Sequence, residues 1–282
     1  MKSRLFFFLC LGLLFSAFVE ERKKTDREEM EIKGKVKSIT ETSYVVRMES
    51  GTEKRHNVEW KKWNFNEQGN KTEEIRTEPY TGELQQRLVF LYDSAGFLVE
   101  EKAYGRDSTL SHTYTFQYDK NGNRVEEFIT EADGKISTQY SYKFDSAGNK
   151  TEMNGYNMKI PNKHFIKETF AYDAHSNKTK ETSEHASGNR VTVYKYVYDN
   201  NGRITAKSVS EKHERLGDSE YKETYKYDKA GNVTERNYCS ADGKVLDKYV
   251  YTNDASGNWI SQATYELGKL LMVRERKIEY YQ

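Results

Sequence analysis

The chain has 282 residues, with 45 basic and 44 acidic side chains, a formal net charge of +1 and a mean hydropathy of −0.97. So even a balance excludes the basic field that a nucleic-acid binder needs, and two cysteines exclude a disulfide-stapled scaffold. With 32% of residues charged and 35% apolar, composition alone would point to disorder, but 22 tyrosines oppose that, since each can bury a ring and keep its hydroxyl wet.

In chain order, Lys2 and Arg4 precede an apolar run from Leu5 to Val19, and a charged stretch, EERKKTDREE, begins at Glu20. This is the layout of a secretory signal over residues 1–19, and the run is short for a spanning helix. Phe15 and Phe18 flank the small Ser16 and Ala17, so the cleavage site is poor and an uncleaved anchor is the alternative. Cys10 lies inside the run, which argues against lipid attachment there. Removing the leader leaves Cys239 alone and the net charge at −1. Residues 20–33 form a charged lead-in, flexible or helical. From Gly34, GKVKSITETSYVV resembles the second strand of the repeat that follows and is expected to cap it.

That repeat is an aromatic-Asp-x-x-Gly tetrad. It reads YDSAGF at 92–97, YDKNGN at 118–123, FDSAGN at 144–149, YDNNGR at 198–203 and YDKAGN at 227–232. Weaker copies are FNEQGN at 65–70, YDAHSN at 172–177 and NDASGN at 253–258. The turn glycines, Ser176 in one copy, are 27, 26, 26, 28, 26, 29 and 26 residues apart. A fixed period means a row of one small unit. Asp suits the first position of a type I turn, and Gly at the fourth closes a hairpin through a one-residue bulge. Asp93 with Gly96, Asp119 with Gly122, Asp145 with Gly148, Asp199 with Gly202 and Asp228 with Gly231 are therefore structural turn residues.

Before the turns, aromatic and polar residues alternate with the strand period, as in Tyr114, Phe116, Tyr118 and Tyr194, Tyr196, Tyr198. After the turns a β-branched residue recurs (Thr72, Val99, Val125, Thr151), often followed by an acid (Glu73, Glu100, Glu126, Glu152, Glu235). Second turns, TGE at 81–83, ADGK at 132–135, SGN at 187–189 and ADGK at 241–244, close the far side. Pro79 and Pro161, the only prolines, fall in far-side connections, which leaves the strands free to pair. Trp259 to Tyr265, a turn at Gly268 and LLMVRERKIEYY make a last hairpin. The expected fold is all-β: one domain over 34–282, of about eight antiparallel hairpins capped at both ends, forming an extended twisted or spirally wound meander sheet. An edge strand at either end would leave end-to-end association open.

A Tyr-Asp dipeptide leading a Gly-Asn or Gly-Arg turn, followed by a far-side Asp-Gly, resembles the YD repeats of the RHS family. YDNNGRIT at 198–205 is the nearest match, and the resemblance covers roughly residues 60–265. It implies strands that wind as a spiral sheet, which in large members encloses a toxin; other members are exported surface proteins credited with carbohydrate or cell binding. Asn replaces Arg after most turn glycines here, and no toxin segment follows the repeats.

Motifs for chemistry are absent. Each turn carries one Asp, too few oxygens for a calcium array. His56, His112, His164, His175, His185 and His213 show no metal spacing, and neither a Gly-x-Ser-x-Gly elbow nor a cysteine motif is present. No catalytic residue, metal or cofactor is expected. The recurring glutamates read as a ladder of cross-strand charge pairs rather than glycosidase carboxylates. Asn70, Asn149, Asn177 and Asn232 begin sequons that the turn pattern creates by itself. The tyrosine columns are either the core of a narrow sheet or a surface for sugar rings, with Tyr114, Tyr140, Tyr142, Tyr194 and Tyr196 as the binding candidates.

The resulting expectation is an exported, non-enzymatic protein of the periplasm or outer envelope of a Gram-negative bacterium. Its repetitive sheet would bind a polysaccharide or surface protein, or serve a structural role, with membrane contact only through an uncleaved leader and no nucleic-acid partner. The alternatives are an immunity or chaperone-like partner of a toxin related to RHS shells, and a glycan-active enzyme.

Overall fold

The computed structural model describes residues 24–78, 81–160, 164–185 and 188–282; the leader, Pro79 and Pro161 lie outside the described residues. The tetrad at Asp119 shows how each unit closes. Gly122 N–H donates to the Asp119 carbonyl at 3.0 Å, and Asp119 N–H donates to the Asn123 carbonyl at 2.9 Å. Asp119 Oδ1 accepts from the backbone N–H of Asn121 and of Asn123, both at 2.9 Å, and Oδ2 accepts from Asn123 Nδ2 at 3.0 Å. Gly122 sits at φ 81°, and the strand register shifts by one residue at Gln117/Tyr118. This is a type I turn with a bulge, in which only glycine is unstrained.

Eighteen strands follow in chain order. The first nine are β1 (Val36–Glu49), β2 (Thr52–Phe65), β3 (Lys71–Thr77), β4 (Leu84–Tyr92), β5 (Leu98–Tyr104), β6 (Leu110–Tyr118), β7 (Arg124–Glu131), β8 (Ile136–Phe144) and β9 (Lys150–Asn157). The rest are β10 (His164–Tyr172), β11 (Lys178–His185), β12 (Arg190–Tyr198), β13 (Ile204–His213), β14 (Gly217–Tyr227), β15 (Val233–Ser240), β16 (Val245–Asn253), β17 (Trp259–Glu266) and β18 (Lys269–Tyr280). Each is antiparallel to its sequence neighbours. The eight tetrad turns lie at one end, and nine far-side connections lie at the other.

The ends of this meander meet. β1 pairs antiparallel with β18, with Ile39 opposite Ile278, Thr42 opposite Glu275 and Val45 opposite Met272. The sheet is therefore a closed barrel of eighteen strands, not the open twisted or spiral sheet expected from the repeat. Closure has a plain cause. Two long terminal strands each leave a row of unpaired N–H and C=O groups, and pairing them with one another satisfies both rows. The terminal segments read as stack caps are thus the two sides of a seam, and among the described residues no strand edge remains for end-to-end association.

Of the charged lead-in, expected to be flexible or helical, residues 24–33 are described. Thr25 caps a single helical turn, α1 (Asp26–Glu29), in a reciprocal box with Glu28. Arg27 is buried and donates to the Val36 carbonyl at 2.9 Å and the Glu67 carbonyl at 2.6 Å. Asp26 accepts from Lys71 N–H and from the Tyr92 hydroxyl, both at 2.7 Å. On the other flank, Lys33 N–H donates to Asn258 Oδ1 at 2.8 Å. Ile32 joins Val36, Ile39 and Phe65 in a small core cluster, so the segment is a docked cap on the tetrad end. A second cluster, Leu88, Phe90, Leu98, Ala103 and Phe116, packs on one face of β4–β6.

The tetrad tyrosines stitch neighbouring units. The hydroxyl of Tyr118 donates to the Leu98 carbonyl at 2.8 Å, that of Tyr172 to the Lys150 carbonyl at 2.7 Å, and that of Tyr227 to the Ile204 carbonyl at 2.7 Å. The recurring aromatic thus joins one hairpin to the one before it. Each such bond is worth roughly 1 kcal/mol net.

Candidate functional site

Strand alternation sends one set of side chains into the barrel and the other outward. A cavity of about 840 Å³ identifies the inward set, because β12–β18 and the cap residues Met30 to Lys33 wall it together. On this face each hairpin sets an aromatic opposite the residue five places after the turn. Trp63 faces Glu74, Phe90 faces Glu101, Phe116 faces Glu127, Tyr142 faces Met153 and Phe170 faces Glu181. Round the rest of the barrel Tyr196 faces Lys207, Tyr225 faces Arg236 and Tyr251 faces Gln262. The inner ring is therefore acidic over β3–β11, except at Met153, and basic or neutral over β13–β17. Sequence reading stopped one residue short of it, at the acids four places after the turn. The signal was present as the fifth position of the same repeat.

Those fourth-position acids stand on the outer wall in ion pairs. Glu73 meets Arg87 at 2.6 Å, Glu100 meets Lys102 at 2.8 Å and Glu152 meets Lys143 at 2.8 Å. Glu235 holds both Lys226 at 2.9 Å and Lys248 at 2.8 Å, and these contacts pull its carboxyl down to about 2. Glu126 accepts from Gln139 Nε2 at 3.2 Å. None of these carboxylates faces the cavity.

The five candidate tyrosines point inward and are half-buried. Tyr194 has Lys178 and Lys207 over its ring at 5.1 and 5.3 Å, and Tyr142 has Lys150 at 5.4 Å. Burial lowers the pKa of that Lys150 and, with Glu127 beside it, raises that of Tyr142, whose hydroxyl donates to Glu127 Oε2 at 3.0 Å. Tyr196 donates to the Lys178 carbonyl at 2.8 Å, Tyr140 meets Phe165 edge-on at 5.9 Å, and Tyr114 packs edge-on against His112 at 5.0 Å. Each of them has its ring or its hydroxyl engaged by a wall neighbour. The turn aspartates are engaged too; hydrogen bonds from Asn149 and Arg203 hold Asp145 and Asp199 below the usual carboxylate range. Among the described residues, no group of three or more His, Cys, Asp or Glu is placed to hold a metal ion.

The open aromatic surface lies elsewhere, in the mouth cavity. Tyr198, Tyr225, Tyr227, Tyr251 and Trp259 wall it, with Asn232, Asn253 and Asn258 between them. Its three arginines are matched: Arg203 with Asp199 at 2.6 Å, Arg236 with Glu223 at 3.0 Å and Arg276 with Glu41 at 2.9 Å. Arg276 lies 3.4 Å from the Trp259 ring centroid, and Arg203 lies 4.7 Å from that of Tyr227. Among the described residues no cation covers Tyr198, Tyr225 or Tyr251. His175 lies 5.5 Å from the Tyr198 ring and Trp259 meets Tyr251 edge-on at 6.3 Å, and Lys33 and Glu31 also line the cavity, so it offers ring faces free of cations within a wall of balanced formal charge.

No family model matches the chain, and no curated protein matches it in sequence. Among solved structures it is similar to a porin-like protein from Bacteroides uniformis, with a TM-score of 0.47 and 10% identity over 86% of this chain and 98% of that one. A porin-like protein from Bacteroides vulgatus gives 0.35 and 12% identity over 88% and 99%. A chain of the TcdB2-TccC3-TEV structure gives 0.32 and 8% identity, with 80% of this chain covering 16% of that chain.

The outer wall bears directly on membrane insertion. Lys143, Lys195, Lys226 and Lys277 project from it, exposed, alongside Gln117 and Glu275. A lipid-embedded barrel carries an apolar outer band, and each lysine at mid-membrane costs about 2–4 kcal/mol. Leu91, Val193 and Val197 are exposed on the same wall among these charged side chains.

Proposed function

We propose that the chain is an exported, non-enzymatic envelope protein that binds a neutral, hydroxyl-rich chain end, a polysaccharide, in the tetrad-end cavity. The observation that carries the reading is the pairing of every cavity arginine with a carboxylate beside the Tyr198, Tyr225 and Tyr251 rings, over which no cation lies among the described residues. An ion would find no net charge there, whereas a sugar ring can stack on an exposed aromatic face and exchange hydrogen bonds with amides. Export is supported by the leader alone. The non-enzymatic reading is supported by the commitment of the recurring glutamates to ion pairs on the outer wall.

Isothermal titration of the purified chain with neutral envelope polysaccharide fragments tests this. Tyr225→Ala and Tyr251→Ala are each expected to weaken binding roughly tenfold, in keeping with a stacked aromatic contact. Tyr114→Phe, outside the cavity, is expected to leave it unchanged. Binding that survives both cavity substitutions would sink the site, and an absence of binding to any neutral glycan would sink the ligand class.

A further inference from the structure

The repeat carries a charge register on its inner face that one unit breaks. Two residues after the turn glycine (Ser176 in one copy), four units place a cation: Lys71, Arg124, Lys150 and Lys178. Three residues further on, three of these units supply an acid for it. Lys71 meets Glu74 and Arg124 meets Glu127, each at 3.5 Å, and Lys178 pairs with Glu181. On β9 the acid is replaced by Met153, which stands between Tyr142 of β8 and Glu168 of β10. Among the described residues, Lys150 Nζ forms neither an ion pair nor a hydrogen bond.

The amine is held against two rings instead. Nζ lies 4.9 Å from the Phe170 ring centroid and 5.4 Å from that of Tyr142. Lys178 shares the Phe170 ring, at 5.4 Å, so the two lysines differ mainly in whether an acid accompanies them. Burial lowers the pKa of Lys150; Glu168 and Glu181 oppose this, while Lys178 and Arg124 add to it. Burial acts on Lys178 too, but its bond to Glu181 outweighs it and raises that pKa. A lysine with a lowered pKa holds more neutral amine at a given pH, and the neutral amine is the nucleophile. The Lys150 side chain is half-buried, which leaves it partial access from the barrel interior.

We propose that Lys150 is a carbonyl-capture site, an amine set to take an aldehyde from the barrel interior as an imine. The Nζ lone pair adds to the aldehyde carbon, a proton passes from nitrogen to oxygen, and water leaves as the C=N bond forms. No oxidant or reductant is needed. The neutral imine sheds the charge that burial penalises, and its flat C=N group meets the same two rings. An anionic ligand would instead need the ammonium form, which burial disfavours. Lys150 lies outside the tetrad-end cavity, and the inference is independent of the glycan reading.

The test adds limiting acetaldehyde to the full chain, with cyanoborohydride to reduce any imine to a stable secondary amine. It is run at about pH 6, where an ordinary lysine is almost wholly protonated. Peptide mass spectrometry is expected to find Lys150 labelled at least about fivefold faster than Lys178 or the exposed Lys195. Met153→Glu restores the acid of the other units and is expected to slow Lys150 to the rate of Lys178, whereas Met153→Leu is expected to leave it fast. Labelling of Lys150 no faster than that of Lys178 or Lys195 in the unsubstituted chain overturns the proposal. Undiminished labelling in Met153→Glu, at an unchanged unfolding midpoint, overturns it as well, since the missing acid would not be what frees the amine.

Discussion

The two ends of the barrel are both closed by tight turns and behave differently. On the tetrad rim several turns lean on the one before them, although a Cβ at Gly202 would meet nothing within 4 Å. A Cβ added at Gly122 would lie 3.1 Å from the Phe97 ring, at Gly148 it would lie 3.7 Å from Asn123, and at Gly231 3.7 Å from Arg203. On the far rim, a Cβ at Gly51, Gly134, Gly217, Gly243 or Gly268 meets nothing within 4 Å. One rim is a hoop of stacked turns held by side-chain hydrogen bonds. The other is a looser ring, joined in places by Arg106 to Glu78 and Glu83 and by Asn189 to Glu214. The residues that recur built the hoop.

The largest effect that can break this contrast is at the cap, which completes the hoop. Arg27→Ala removes a buried guanidinium and strands the Val36 and Glu67 carbonyls it serves. The expected loss is about 2–3 kcal/mol in urea unfolding, because buried partners are left unsatisfied. A loss below about 0.5 kcal/mol would show that the cap only rests on the rim.

A matched pair of glycines measures the stacking itself. Gly122 and Gly134 both sit at φ 81°, so alanine pays about 1 kcal/mol of left-handed strain at either site. Only at Gly122 does the new methyl also press on Phe97, which is expected to bring the total to about 2 kcal/mol. Equal losses in denaturant melts would mean that the turns do not support one another.

How much of this was legible follows from the range of each interaction. The turns were readable because Asp119 and Gly122 are three residues apart and act on their own backbone. The strand period was readable for the same reason. Closure was not, since Ile39 and Ile278 each look like ordinary strand residues and only the curvature accumulated over eighteen strands brings them together. The inner ring was half-readable: Glu101 and Arg236 hold equivalent places in the repeat, but their inward direction depends on the one-residue bulge that precedes them. Tyr225 and Tyr251 carry the same local pattern as Tyr142 and Tyr194. What separates them is whether a lysine from a neighbouring strand lies over the ring, and no local pattern encodes that.

The smallest effect sharpens how far the hoop extends down the wall. Glu235 ties β14, β15 and β16 together just below the tetrad rim, through Lys226 and Lys248. Those lysines, with Asn237, hold its folded pKa at about 2, below the roughly 4.3 of an unperturbed glutamate. A depressed carboxylate pKa stabilises the fold fully above the unfolded value, and that stability is lost as pH falls through the folded one. The network therefore weakens between about pH 4.3 and 2, and solvent screening on the outer wall keeps its worth to roughly 1 kcal/mol. Glu235→Gln is expected to cost about that much at neutral pH and nothing further in acid, so its stability should converge with that of the unsubstituted chain as the pH drops. If the two stability curves stay parallel from neutral pH down to acid, the charge on Glu235 does not tie these strands, and the hoop ends at the turns.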